Sequence, residues 1–186
     1  ETASGGLRLA DGVVCEDGQS NCVAVCICDS GYHGEACSYT TQELTDRETM
    51  KNDLVVSLKQ LVESDDATSD NLAVWVSNLE SLSKQKDDIT ITTAENMKYV
   101  LETVLQAAEG LEASSSDIES VSSTFDAISH YYDVSQVQAW LQDFTRIISN
   151  GMFIGENSYK TLGNRYRVRI DAIARVYDDG YTSTLP

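Results

Sequence analysis

All five cysteines of this chain, Cys15, Cys22, Cys26, Cys28 and Cys37, lie in its first 37 residues, and the other 149 residues contain none. The last three are spaced C-x-C-x5-G-x2-C, with Gly31 and Gly34 flanking Tyr32-His33 inside the final loop. Glycine gives such a loop its tight backbone turns, and Tyr32 covers it. So short a segment cannot build an adequate hydrophobic core, so cross-links take its place, and cross-links persist outside the reducing cytosol. A zinc site is the other reading of clustered cysteines. The short C-x-C spacing and the lack of a second well-spaced pair argue against it.

The cysteines divide the chain. Residues 1–38 read as a partial disulfide module with a Gly-rich N-terminal linker, residues 39–151 as a helical domain, and residues 152–186 as a C-terminal strand or hairpin segment. No proline occurs between Thr40 and Leu185, and Ser/Thr caps alternate with apolar residues of helical period. Thr40-Thr41-Gln42-Glu43 is a capping box that opens a helix running to about Ser64, with Leu44, Leu54, Val55, Leu58, Leu61 and Val62 as its stripe. A second helix runs from Ser69 to about Gln85 on Leu72, Val76, Leu79 and Leu82, with Trp75 flanking that face. Asp87-Asp88-Ile89-Thr90-Ile91 reads as a short, extended link. A box at Thr92-Thr93-Ala94-Glu95 opens a third helix that ends before Gly110, a natural C-terminal cap. A fourth starts within Ser114-Ser115-Ser116, with Ser116-Asp117-Ile118-Glu119 as its box, and carries Ile118, Val121, Phe125 and Ile128. A fifth runs from Ser135 to about Asn150 on Val137, Leu141, Phe144 and Ile148. The fold class expected is mostly α: a small disulfide-rich module, then an array of about five helices, then a short C-terminal β segment.

Residues 164–170 change texture. Asn164-Arg165-Tyr166-Arg167-Val168-Arg169-Ile170 alternates strictly, which is the period of a half-buried strand with arginine on its outer face. A lone strand pair is marginal, so this segment either packs on the helices, continues into a further sheet, or meets a neighbour.

The net charge of −17 argues against nucleic acid and anionic membranes as partners. No apolar run approaches the roughly 20 residues that span a bilayer. Charge is uneven: residues 1–145 hold 7 Lys and Arg against 26 Asp and Glu, and residues 146–186 hold 6 against 4. A basic tail on an acidic body is a head-to-tail assembly signal, or simply a solvated acidic surface beside an Arg-bearing strand.

Catalytic chemistry finds little footing. His33 sits in the cysteine loop and reads as a surface residue. His130 precedes Tyr131-Tyr132 near a helix C-terminus, where a half-buried histidine or a dipole partner is expected rather than a ligand. No zincin, nucleophile-elbow, phosphate-loop or dinucleotide motif occurs. The pairs Asp65-Asp66, Asp87-Asp88 and Asp178-Asp179 read as solvated caps, and no calcium loop of the D-x-[DN]-x-[DN]-G type is present. No catalytic residue, metal ligand or cofactor is expected. Thr2-Ala3-Ser4 and Thr182-Ser183-Thr184 are candidate positions for O-glycans, whereas Ser114, Ser115 and Ser116 read as helix caps.

The C-x-C-x5-G-x2-C stretch resembles the C-terminal half of an EGF-like module. The resemblance implies that Cys28 pairs with Cys37 and Cys15 with Cys26. Cys22 is left wanting an upstream partner. Either that partner belongs to an N-terminal segment outside this sequence, or the module is degenerate with Cys22 free or intermolecular. The start at Glu1, with no signal peptide, is expected of a processed or partial chain. The loop runs at once into Ser38-Tyr39-Thr40-Thr41-Gln42-Glu43-Leu44 and a helical region with phrases such as Ser57-Leu58-Lys59-Gln60-Leu61-Val62. That arrangement resembles heterokont extracellular proteins, including the tubular flagellar-hair (mastigoneme) proteins and the sexually-induced-gene proteins of diatoms. The helical part with its following strand is similar to the helical subdomain of the GAIN fold and to the REJ regions of polycystin-like proteins. The His-Leu-Ser/Thr tripeptide of GAIN self-cleavage is missing, so cleavage is not implied.

The resemblance implies a non-enzymatic, secreted or cell-surface structural or adhesion protein, a subunit of a flagellar-hair-like filament. The alternative is the ectodomain of a GAIN/REJ-type receptor. Partners expected are copies of this chain or related EGF-module proteins. Arg165, Arg167 and Arg169 are the candidate assembly interface, facing an acidic surface of a neighbour.

Overall fold

The computed structural model describes residues 28–34, 36–152, 157–163 and 166–171. The protein is mostly helical, with two short β-hairpins at opposite ends of the described chain.

Strands β1 (Tyr32–His33) and β2 (Tyr39–Thr40) pair antiparallel, and the Cys28–Cys37 disulfide closes the loop they form, with Cα atoms 5.2 Å apart. Gly31 and Gly34 both hold φ of +89°, the left-handed conformation that glycine adopts without steric cost. Cys15, Cys22 and Cys26 lie outside the described residues.

Helix α1 (Thr41–Ser64) begins where the sequence places it. Thr40 accepts from the Glu43 N–H at 3.3 Å, and the Glu43 carboxylate accepts from the Thr40 N–H at 2.8 Å. Its inner face differs from the expected stripe. Lys51, Val55, Leu58 and Val62 are buried, whereas Leu54 is 53% exposed. Helical phase explains this: position 54 lies about 100° from position 55, so one of the two must turn away from the partner helix. Helix α2 (Ser69–Ser83) buries Leu72, Trp75, Val76 and Leu79. Trp75 is part of the inner face rather than a flank, at 1% exposure.

Helix α3 (Ile91–Gly110) is the hub, packing against α1, α2, α5 (Val121–Ile128) and α6 (Val134–Gly151). It therefore buries a wide face: Ala94, Met97, Val100, Leu101, Val104, Leu105 and Ala108. Both of its ends are displaced from the sequence reading. The cap is Thr90, whose hydroxyl accepts from the Thr93 N–H at 3.2 Å, so Thr92 and Thr93 already lie in the first turn. The expected extended link is instead a turn ending at that cap. At the other end Gly110 stays helical, and Glu112 takes the left-handed position at φ +52°. Ala113 N–H then returns to the Ala108 carbonyl at 2.9 Å and Glu112 N–H to that of Glu109 at 3.2 Å. This six-to-one closure buries Ala113 against the core.

The expected fourth helix is two: α4 (Ser115–Ile118) and α5. Ser122 and Ser123 N–H groups reach back three residues, to Glu119 and Ser120, tightening the backbone between them. The cap of α4 is Ser114 with Asp117, two residues before the expected box. The apolar order Ile118, Val121, Phe125, Ile128 survives the break, and all four are buried. A 3-10 turn (Ser129–Tyr131) leads to α6, capped by Asp133 rather than started at Ser135. Asp133 accepts from the Ser135 hydroxyl at 2.6 Å and the Gln136 N–H at 2.9 Å, which hold its carboxyl below the usual range.

Strands β3 (Tyr159–Leu162) and β4 (Arg167–Ile170) form the second hairpin, in register Tyr159↔Ile170, Lys160↔Arg169, Thr161↔Val168, Leu162↔Arg167. Its inner face joins the helical core. Phe125 meets Phe144 at 5.3 Å and Tyr166 at 6.2 Å, both edge to face, and Tyr159 meets Phe144 at 5.9 Å. Tyr166 Oη donates to the Ser122 carbonyl at 2.6 Å. Of the three settings open to this segment, packing on the helices is the one the described residues show.

Candidate functional site

Two surfaces stand out: the junction between the disulfide loop and the helices, and the outer face of the β3–β4 hairpin.

The junction is built on α1. Arg47 and Lys51 are four residues apart and so project from the same side of the helix. Both reach Asp88 in the link between α2 and α3. Arg47 Nη2 lies 3.2 Å from Asp88 Oδ2, and Lys51 Nζ pairs with Asp88 Oδ1. Lys51 and Asp88 keep only 9% and 5% of their side-chain surface in water. Gln85 completes the set, its side-chain oxygen accepting from Arg47 and its carbonyl from Lys51. Above this cluster the Arg47 guanidinium lies 4.5 Å from the centre of the Tyr39 ring. A cleft of about 350 Å³ opens here, lined by Tyr39, Arg47, Lys84, Gln85, Asp87 and Asp88 among others.

The disulfide loop seats on the same cluster. A Cβ at Gly34 would lie 2.9 Å from Tyr39 Cδ2 and 3.2 Å from Asp87 Oδ2, so glycine admits the close approach. His33 Nε2 meets Thr41 Oγ1 at 2.9 Å, tying the loop to the first turn of α1. The link is fastened below by Tyr131 Oη donating to the Ile89 carbonyl and by Lys86 pairing with Asp126. Burial and charge, rather than apolar packing alone, therefore fix the loop's orientation.

Asp88 departs from the sequence reading of this pair as solvated caps, whereas Asp87 is exposed. Asp88 is 4% exposed. The signal available was Lys51: it occupies an inner-face position of α1, four residues before Val55 and seven before Leu58. A buried ammonium requires a carboxylate partner, and the link after α2 is where one is available.

On the hairpin, Arg167 and Arg169 point outward as the alternation implies, and Arg165 lies outside the described residues. The structure adds Lys160 and Leu162 to the same face through the register of β3. Leu162 is 76% exposed. Arg169 is also engaged within the chain, its Nε 2.9 Å from Asp171 Oδ2. Ser158 and then Arg169 hold the Asp171 carboxyl below the usual range.

The other sequence candidates fall apart in space. His33 serves the junction, and His130 stacks on Tyr131 with ring centres 3.8 Å apart. Among the described residues no group of three or more His, Cys, Asp or Glu is placed to hold a metal ion, and no helix is long and apolar enough to cross a membrane.

No family model, no curated protein and no solved structure matches this chain.

Proposed function

We propose that this chain is a non-enzymatic extracellular structural or adhesion protein, a subunit of a flagellar-hair-like filament. In this reading the disulfide loop is a connector and the helical domain supplies bulk and lateral surface. The observation that carries it is the junction. Strand β2 ends at Thr40, the residue that caps α1, and Arg47, anchored on Asp88, lies over the Tyr39 ring at the base of the loop. A connector that must hold a fixed angle from one subunit to the next needs this kind of joint. In this reading the buried polar set serves to specify one geometry, at some cost in stability.

The test is electron microscopy of native material labelled with an antibody to the helical domain, in low and high salt. Label at a regular axial repeat along filaments supports the proposal. Label confined to membrane sheets, with no filaments, sinks it.

A second reading has one observation in its favour: a helical array followed by a hairpin packed on it, the order that GAIN/REJ-type receptor ectodomains share. The membrane-sheet outcome would support that reading.

A further inference from the structure

Resting on the assembly reading, two surfaces of this chain are complementary to each other. The outer face of the β3–β4 hairpin carries Lys160, Leu162, Arg167 and Arg169, all exposed. Lys160 and Arg169 are direct cross-strand partners, as are Leu162 and Arg167. Like charges opposite each other destabilise a strand pair. Asp171 offsets one of the three cations, leaving this small face net basic on a chain of net charge −17. A leucine at 76% exposure sits in its midst. The face is thus costly for the isolated hairpin and suited to an acidic partner with an apolar seat.

Helix α1 offers that partner. Its outward side forms a shallow groove of about 390 Å³ lined by Asp46, Thr49, Met50, Asp53, Leu54 and Ser57. Met50 and Leu54 are 65% and 53% exposed, and the two aspartates bracket them. The nearest cations on α1, Arg47 and Lys51, are already committed to Asp88 on the inner side. Asp46 accepts from the Gln42 side-chain amide at 2.8 Å, and the groove therefore reads as two apolar side chains between two carboxylates that no cation pairs among the described residues, the inverse of the hairpin face.

We propose that the hairpin face of one copy docks in the Met50–Leu54 groove of a second copy, with Leu162 entering between Met50 and Leu54 and the cations of the hairpin meeting Asp46 and Asp53. The two surfaces belong to elements with different packing partners, α1 on α2 and α3, β4 on α6. Each copy thus offers one of each, and such a head-to-tail contact propagates unless its rotation closes a ring.

Sedimentation velocity of the whole chain, at about 20 mM and about 500 mM salt, tests this. The expected result is growth beyond a dimer with concentration at low salt, suppressed at high salt. The variant Lys160→Glu/Arg167→Glu/Arg169→Glu should weaken association at least about tenfold, as should Asp46→Lys/Asp53→Lys. Neither should assemble alone, yet an equimolar mixture of the two should, because reversed faces again meet opposite charges. All changes are at exposed positions, and circular dichroism checks that the variants fold. A monomer at every concentration, growth untouched by hairpin reversal, or folded variants that fail to associate when mixed would each overturn the proposal. Filaments bearing this chain but indifferent to these variants would overturn it while leaving the structural role intact. Association in solution without native filaments would do the opposite.

Discussion

Lys51 Nζ and Asp88 Oδ1 form an ion pair beneath the surface of the junction, joining the middle of α1 to the link between α2 and α3. Arg47 shares the same carboxylate. Two cations on one acid make the three residues unequal. Asp88→Asn leaves the buried Lys51 with no carboxylate and only the Gln85 carbonyl, while Arg47 keeps the Gln85 side chain and the Tyr39 ring, and should destabilise by about 3 kcal/mol. Lys51→Met leaves Arg47 on Asp88 and should cost about 1–2 kcal/mol, the scale of one charge-assisted bond. Urea unfolding midpoints order the two, and an equal or reversed order would show that Asp88 is not the keystone of the cluster.

The two loop glycines share a φ of +89° but not their surroundings. Gly31 has nothing within 4 Å of its would-be Cβ, whereas Gly34 abuts Tyr39 and Asp87. Gly31→Ala should cost about 1–2 kcal/mol for backbone conformation alone. Gly34→Ala adds overpacking, about 1–3 kcal/mol more, and should loosen the loop from the helices. Hydrogen exchange at Tyr32, His33 and Thr41 is the readout: faster exchange in Gly34→Ala than in Gly31→Ala is expected.

Tyrosines around the β3–β4 hairpin and α6 couple stability to alkaline pH. Burial, then the nearby Glu119, pushes Tyr159 up to about 12. Burial with Glu95 and Glu102 does the same to Tyr132, also to about 12. Tyr166, the most buried of the three, is pushed up further by burial and Asp126. An unfolded tyrosine releases its proton near pH 10, so above that value the unfolded chain is favoured. The stability these residues contribute is full below about pH 10 and falls as pH rises toward 12. Urea midpoints should drop over that window, and Tyr166→Phe should flatten the drop. An unchanged slope in Tyr166→Phe would refute the assignment.

The Thr40 cap should matter at acid pH as well as in mutants. Thr40→Ala removes the hydroxyl that accepts from Glu43 N–H and should cost about 1 kcal/mol. The Thr40 backbone N–H, and then its hydroxyl, hold the Glu43 carboxyl below its usual value. A depressed carboxylate contributes stability above its unfolded pKa and loses it as pH falls through the folded one. Thermal scans through the acid range should show a Glu43→Gln variant less acid-sensitive than the parent.

Helices α1, α2, α3 and α6 were legible because each has a Thr or Asp cap close to the start of a 3.6-period stripe, whereas the break between α4 and α5 was not, because α5 starts without a side-chain cap. Thr40 is the clearest case, being the sole cap candidate with a glutamate three residues on that also ends a strand. Around Thr90, Thr92 and Thr93 the sequence offers several caps, and tertiary burial of Thr93 at 0% exposure decides among them. The Cys28–Cys37 pairing was implied by the EGF-like resemblance, and the outward Arg167 and Arg169 were legible from local alternation. Lys160 and Leu162 were not, because their place beside those arginines depends on hairpin register. Asp88 was hidden for a similar reason: Lys51 at an inner-face position signals the need for a carboxylate, but which one answers depends on how the link after α2 packs on α1.

The passage from disulfide loop to helix leaves almost no slack. Residues 28–37 are closed by the disulfide, Tyr39 is held under Arg47, and Thr40 is already the cap of a 24-residue helix. That helix is a rod of about 36 Å. Tension applied at the loop would therefore reach the far end of α1 with little extension in between. The Asp88 joint braces that rod from the side, against the link between α2 and α3, so the chain would behave as a stiff bracket rather than as a spring.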